Sequence, residues 1–205
     1  MTRGFDEINN RSVPYEQYFE EMELTDEQIE KRIEAAHGFE DMMLLLFALL
    51  STAKKYNISD IGFINAEVEK SYLSVVGNYM PIDDYMENYA KDFSKEIVQS
   101  TINNEQDPYY ASEDRAMFVA ENESNTSLNY AEYINAVQSG RTKKKWITMN
   151  DKKVRHTHRN IDGKTLNIAD AFEVGDSLMM FPKDSETFGA EAKEIVGCRC
   201  CIKYF

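Results

Sequence analysis

The sequence predicts an α+β fold, with long N-terminal helices followed by a small mixed α/β C-terminal module. Three observations carry this. Apolar residues recur at helical spacing between residues 25 and 139, in stretches opened by capping residues. Beyond Gly140 the period shortens to strand-like runs separated by turn signals. All three cysteines and two of the three histidines fall in the last third of the 205 residues. The expected organisation is a polar arm at residues 1–23, a helical domain at 24–140 and a compact module at 141–205.

The arm is acidic, with scattered aromatics (Phe5, Tyr15, Tyr18, Phe19) and no sustained period, and reads as a segment that orders on a partner. Thr25-Asp26-Glu27-Gln28 is a capping box with acids where the helix dipole favours them. Ile29, Ile33, Ala36, Met43 and Phe47 continue one stripe and predict a long helix to about Lys55, with Gly38 as a place for a kink and Met42, Met43, Leu44 and Phe47 buried. A second helix is expected over 64–79. Pro81-Ile82-Asp83-Asp84 opens a third, which carries Tyr85, Tyr89, Phe93 and Ile97 and ends near Asn103-Asn104. Ser112-Glu113-Asp114 caps a fourth that runs to Ser139, with Gly140 as its stop signal; the polar run beginning at Asn122 is its weakest stretch. In the module, residues 145–149, 153–158 and 197–204 read as short strands, with Asp162-Gly163 as a turn.

The net charge of −13 conceals a polarity. Residues 1–140 hold 10 Lys+Arg against 27 Asp+Glu, a balance of −17, whereas residues 141–205 hold 13 against 9, a balance of +4. Arg141, Lys143, Lys144, Lys145, Lys152, Lys153, Arg155 and Arg159 form a basic strip broken by one acid, Asp151. Such a strip meets phosphate or an acidic protein face, or is a solvated hairpin. The acidic first part argues against wholesale DNA binding. The longest apolar run, residues 42–50, is far short of the roughly 20 residues a membrane helix needs. No signal-peptide pattern is present, and the cysteine spacing is unlike a secreted disulfide framework, so no membrane and synthesis in a reducing cytoplasm are expected.

Along a strand alternate side chains share a face, which would pair His156 with His158 and Cys198 with Cys200. Two imidazoles and two thiolates make a sensible tetrahedral site, so these four are candidate ligands for a structural zinc. Cysteines packed as small apolar residues, or a later disulfide, are the alternatives. Trp146 is the only tryptophan and is expected as a core anchor rather than a base-stacking platform. Asp151 with Arg155 is either a buried pair that orients His158 or a surface salt bridge. His37 reads as helix surface.

The run Arg115-Ala116-Met117-Phe118-Val119-Ala120-Glu121-Asn122-Glu123, then Lys145-Trp146, Asp151, Val154-Arg155, His158, Asp162-Gly163, Pro182 and Cys198-Arg199-Cys200, resembles phage minor head or head-morphogenesis proteins of the Mu F-like family. The resemblance covers about residues 112–205; Glu121 and Gly197 depart from the usual pattern. It implies structural roles for Glu123, Trp146, Asp151, Arg155, Asp162, Gly163 and Arg199. It also implies a head protein of a few copies per virion, made in the host cytoplasm, whose helical domain engages the portal or the major capsid protein. Such a protein would aid head assembly and DNA packaging or ejection, with the basic strip touching partner or packaged DNA. The residues alone also admit a small metal-dependent nuclease, because a His/Asp-rich segment beside a basic strip can activate water against a phosphodiester. A toxin or transferase built on Glu123 has no nucleotide-binding fingerprint behind it.

Overall fold

The computed structural model describes residues 14–20 and 22–205, with the backbone alone of 5–6 and 11–12, which pair as two short antiparallel strands, β1 and β2. The remainder of the expected arm lies outside the described residues. Tyr15–Glu20 forms a helix, α1, whose Tyr15, Tyr18 and Phe19 are buried, as is Met22 after it.

Four long helices follow as the periodicity predicts: α2 (Asp26–Tyr56), α3 (Gly62–Val76), α4 (Asp84–Asn103) and α5 (Glu113–Gln138). The capping box is made at both ends: the Gln28 amide donates to Thr25 Oγ1 at 3.3 Å and the Thr25 amide donates to Gln28 Oε1 at 3.0 Å. Asp83 caps α4 by accepting from the Met86 amide, and Gly140 takes a left-handed φ of 74° just past α5. Two expectations change. α2 runs through Gly38 unbroken, where a Cβ would sit only 2.9 Å from Val75 Cγ2. Met42 and Met43 are buried as expected, together with Phe39 and Leu46, but Leu44 is exposed and Phe47 half-buried.

The chain forms two compact units, residues 34–123 and residues 1–33 with 124–205, so the cut falls inside α2 and α5 rather than at Gly140. The first is helical. Its α3 and α4 pack together, and Tyr72 of α3 is wholly buried among Phe39, Tyr89 and Phe93 with ring centroids 4.8 to 5.8 Å apart.

The other unit contains the module. Its three-stranded antiparallel sheet has the order β4 (Thr165–Asn167), β3 (Lys143–Ile147), β7 (Cys201–Tyr204), with Trp146 opposite Ile202. A hairpin, β5 (Phe172–Val174) and β6 (Ser177–Met179), turns at Gly175 with φ 61°. Two single-turn helices complete the unit, α6 (His156–Arg159) and α7 (Ala192–Ile195). The expected strand over 153–158 is therefore corrected. Asp151 Oδ1 accepts from the Lys153 and Val154 amides at 2.8 and 3.1 Å, which turns the chain into a helical turn.

Candidate functional site: a buried histidine and two cysteines

The centre of the module is Trp146, wholly buried and edge-on to Phe172 at 5.1 Å and to the His158 ring at 5.7 Å. It is the core anchor its sequence context suggests. Around it neighbouring residues hold backbone in place. The Trp146 amide donates to the Lys164 carbonyl, and the Gly163 amide, at φ 73°, donates to the Trp146 carbonyl at 2.9 Å. Asp162 Oδ1 accepts from the Thr148 amide at 2.8 Å.

His158, Cys198 and Cys200 come together, all buried, with ligand atoms within 4.8 Å of one another. His158 Nδ1 lies 3.3 Å from Cys200 Sγ and 3.6 Å from Cys198 Sγ. The cysteines stand in the extended segment just before β7, not in a strand, and the Cys200 amide donates to Cys198 Sγ at 3.5 Å. His156, a predicted fourth ligand, is exposed and its Nδ1 sits by Asn160. Alternation would have placed it beside His158; on a helix, residues two apart point to different sides. Cys201 is also outside the group, with Sγ 3.8 Å from the Glu23 carbonyl oxygen and its thiol pushed up to about 12 by burial.

The partner of His158 is a residue the sequence did not flag, Glu194 of α7. Its buried Oε2 lies 3.1 Å from His158 Nε2 and accepts from Thr157 Oγ1 at 2.7 Å. A carboxylate only accepts, so Nε2 carries a proton toward Glu194, and Nδ1 faces the two sulfurs. Gly175 makes room for this: a Cβ there would lie 2.9 Å from Glu194 Oε1. Hydrogen bonding from Cys200 outweighs burial and, with His158, holds the Cys198 thiol well below its ordinary value. Burial and the neighbouring Cys198 push Cys200 up, against the Trp146 side chain, which favours its thiolate. Burial works against a charged His158, but Cys198 and Glu194 raise its pKa overall.

Asp151 pairs with Arg199, not with Arg155, and accepts two amides of the turn that precedes α6. Burial opposes its charge, yet Arg199 and the backbone amides hold its carboxyl below the usual range. The Arg155 guanidinium donates to the Val196 carbonyl, so both arginines brace the loop that carries the cysteines.

That loop is also held from α5. The run Ser124-Asn125-Thr126-Ser127, with Asn129, is fully buried. The Asn125 side-chain amide donates to the carbonyls of Cys198 and Cys200 at 3.1 and 3.4 Å, and that of Asn129 to Cys200 and Pro182 at 3.2 and 3.4 Å. Their oxygens accept from Arg32, wholly buried, whose guanidinium also donates to both Glu132 oxygens at 2.7 and 3.2 Å. Glu123, in the other unit, accepts from the Tyr72 and Tyr89 hydroxyls at 3.1 and 2.8 Å, a structural role.

The basic strip is divided. Lys144 is wholly buried: its Nζ donates to the Met180 carbonyl at 2.7 Å between the Tyr133 and Phe172 rings, and burial lowers its pKa to about 8. It is therefore corrected from the candidate partner-facing residues. Arg141, Lys143, Lys152, Lys153 and Arg159 are exposed, and Lys145 is half-buried. No helix among the described residues is long and apolar enough to cross a membrane.

No curated protein and no solved structure matches the chain. Residues 84–203 match the family described as phage Mu protein F like, a span that takes in α4, α5 and nearly all of the module just described. On that match, which covers more than half of its length, the chain belongs to the phage Mu F-like family of head proteins.

Proposed function

We propose that this protein is a minor head protein of the virion, seated at the portal or on the capsid interior, that aids head assembly and DNA packaging or ejection. The family match over residues 84–203 carries this reading. The charge polarity supports it: an acidic helical region and a basic C-terminal module offer two unlike faces to head components or packaged DNA. The strip that would meet phosphate is Arg141, Lys143, Lys152, Lys153 and Arg159. A cavity adjoining the His/Cys cluster holds about 20 Å³, room for one water and not for a nucleotide, which gives the nuclease alternative no support.

Co-expression of the full chain with the portal protein and the major capsid protein of the same phage tests the proposal. Expected is a complex with one of them that survives purification, and the protein in mature particles at a few copies. Absence from particles together with failure to bind either component would overturn it. Reversing Lys143, Lys152 and Lys153 to Glu should change unfolding free energy by no more than about 0.5 kcal/mol, because exposed charges contribute little to folding. The same change should abolish DNA retention in a gel shift or weaken the head complex.

A further inference from the structure

We propose that His158 Nδ1, Cys198 Sγ and Cys200 Sγ bind one zinc ion, with a water from the adjoining cavity as fourth ligand and Glu194 fixing the imidazole. The separations carry the argument. With Zn–S near ~2.3 Å and Zn–N near ~2.0 Å, the S···N edge of a tetrahedron is roughly 3.5 Å. The two S···N distances here are 3.3 and 3.6 Å, close to that edge, and all three ligand atoms lie within 4.8 Å of one another.

Donor chemistry selects the metal. Two thiolates and an imidazole are a soft, tetrahedral set that favours zinc over magnesium, calcium or manganese. Two of the three ligands have an outer partner of the kind metal sites use. Glu194 Oε2, 3.1 Å from Nε2, fixes the tautomer that leaves Nδ1 free to ligate. Cys198 Sγ accepts the Cys200 amide at 3.5 Å, which spreads the sulfur's negative charge. The backbone of both cysteines is pinned by Asn125 at 3.1 and 3.4 Å, so the chelate is preorganised. On binding, the two thiols give up their protons to solvent, and the two thiolates neutralise the dication.

The three protein ligands leave one tetrahedral corner. Beside all three lies the cavity of about 20 Å³, walled by Met149, Val154, Arg155 and Arg199. A single water needs roughly 10–15 Å³ by this measure, so the fourth ligand is one water. The ion joins α6 to a segment forty residues further on, and stabilises the module by closing that loop.

The test uses the full chain, purified under reductant and reconstituted with zinc or cobalt(II). Expected are about one equivalent of tightly held metal, a thiolate-to-cobalt charge-transfer band with strong four-coordinate ligand-field bands, and X-ray absorption showing two sulfur and two nitrogen or oxygen neighbours. Cys198→Ser and Cys200→Ser should lose the band, Cys201→Ser should keep it, and Glu194→Gln should keep the stoichiometry with about 10 to 100-fold weaker affinity in competition with a chelator. Chelation should lower the melting temperature of the wild-type protein. Folded wild-type protein that holds no stoichiometric metal, or a six-coordinate oxygen-rich cobalt spectrum, would overturn the site. So would three sulfur neighbours, or a Cys198–Cys200 disulfide that persists under reductant.

Discussion

The two compact units solve the burial problem in opposite ways. In residues 34–123 the centre is apolar and aromatic: Phe39, Met42, Met43, Leu46, Val68 and Tyr72 are buried, and one carboxylate, Glu123, collects two tyrosine hydroxyls. In the unit that holds the module, a buried guanidinium, two asparagines, Ser124 and Glu132 stand where apolar side chains would ordinarily be. Apolar packing is adaptable, because any side chain of similar volume restores most of the burial energy. A polar network is directional: it gives little net energy when complete and costs several kcal/mol when one member is lost. The first arrangement suits a helical scaffold. The second suits a unit that must hold a particular loop, here the one bearing Cys198 and Cys200, in one conformation.

The comparison breaks most sharply at Arg32. Arg32→Met removes the donor to Asn125, Asn129 and Glu132, leaving two buried asparagine oxygens without it while Glu132 keeps Gln28. A loss of about 3–5 kcal/mol is expected in denaturant unfolding. Met42→Leu in the other unit, equally buried but volume-conserving, should cost less than about 1.5 kcal/mol. Equal losses would show that the polar network has no special role. Asn125→Leu is the next step down: the Cys198 carbonyl loses its donor and Arg32 Nε its acceptor while Cys200 keeps Asn129, for about 2 kcal/mol, and metal affinity should fall with it because the cysteine loop loosens.

The difference between the units also explains what could be read in the sequence. The helices of residues 34–123 were legible because their apolar residues repeat with the helical period and Asp83 and Pro81 mark an entry. The polar run from Asn122 read as a weak point of α5 because periodicity treats Ser, Asn and Thr as solvent-facing; nothing in one helix announces that Arg32 of another will meet it. Lys144 was misplaced for the same reason, a charge being presumed exposed. His158 and the Cys-x-Cys pair were legible by type, but His156 was recruited through a strand that is a helical turn. Glu194 gave no signal at all, lying in a single-turn helix within a loop-rich stretch. The sequence thus shows which residues can do chemistry more readily than which ones position them.

Lys144 sharpens the contrast through pH. Its folded pKa of about 8 lies below the ordinary 10.5, so between these values the unfolded chain holds a proton that the folded protein has released. Stability from this group therefore rises with pH across that window, by at most about 1.4 kcal/mol per pH unit, and is flat below it. Buried tyrosines and Cys201 have raised pKa values and push the other way, so the difference between wild type and Lys144→Met is the quantity to measure. That difference should grow in favour of the wild type from pH 8 upward. A pH-independent difference would mean that the Lys144 ammonium is solvated in the folded protein.

Tyr72→Phe is the smallest effect and the most discriminating, because it asks whether the aromatic unit depends on one hydrogen bond to Glu123. Burial, and after it Glu123, raise the Tyr72 pKa well above its ordinary value, so the hydroxyl stays protonated and donates throughout the working range. Removing it leaves Glu123 with Tyr89 on the same oxygen at 2.8 Å and Asn122 on the other at 2.9 Å, while the ring keeps its contacts with Phe39 and Phe93. The carboxylate is not stranded, so the cost should be about 1 kcal/mol, the ordinary net value of one hydrogen bond. Thermal unfolding of the variant beside Arg32→Met gives the ratio directly. A loss for Tyr72→Phe as large as that for Arg32→Met would place Glu123, like Arg32, at the centre of a network that fails as a whole, and the two units would then differ in composition but not in kind.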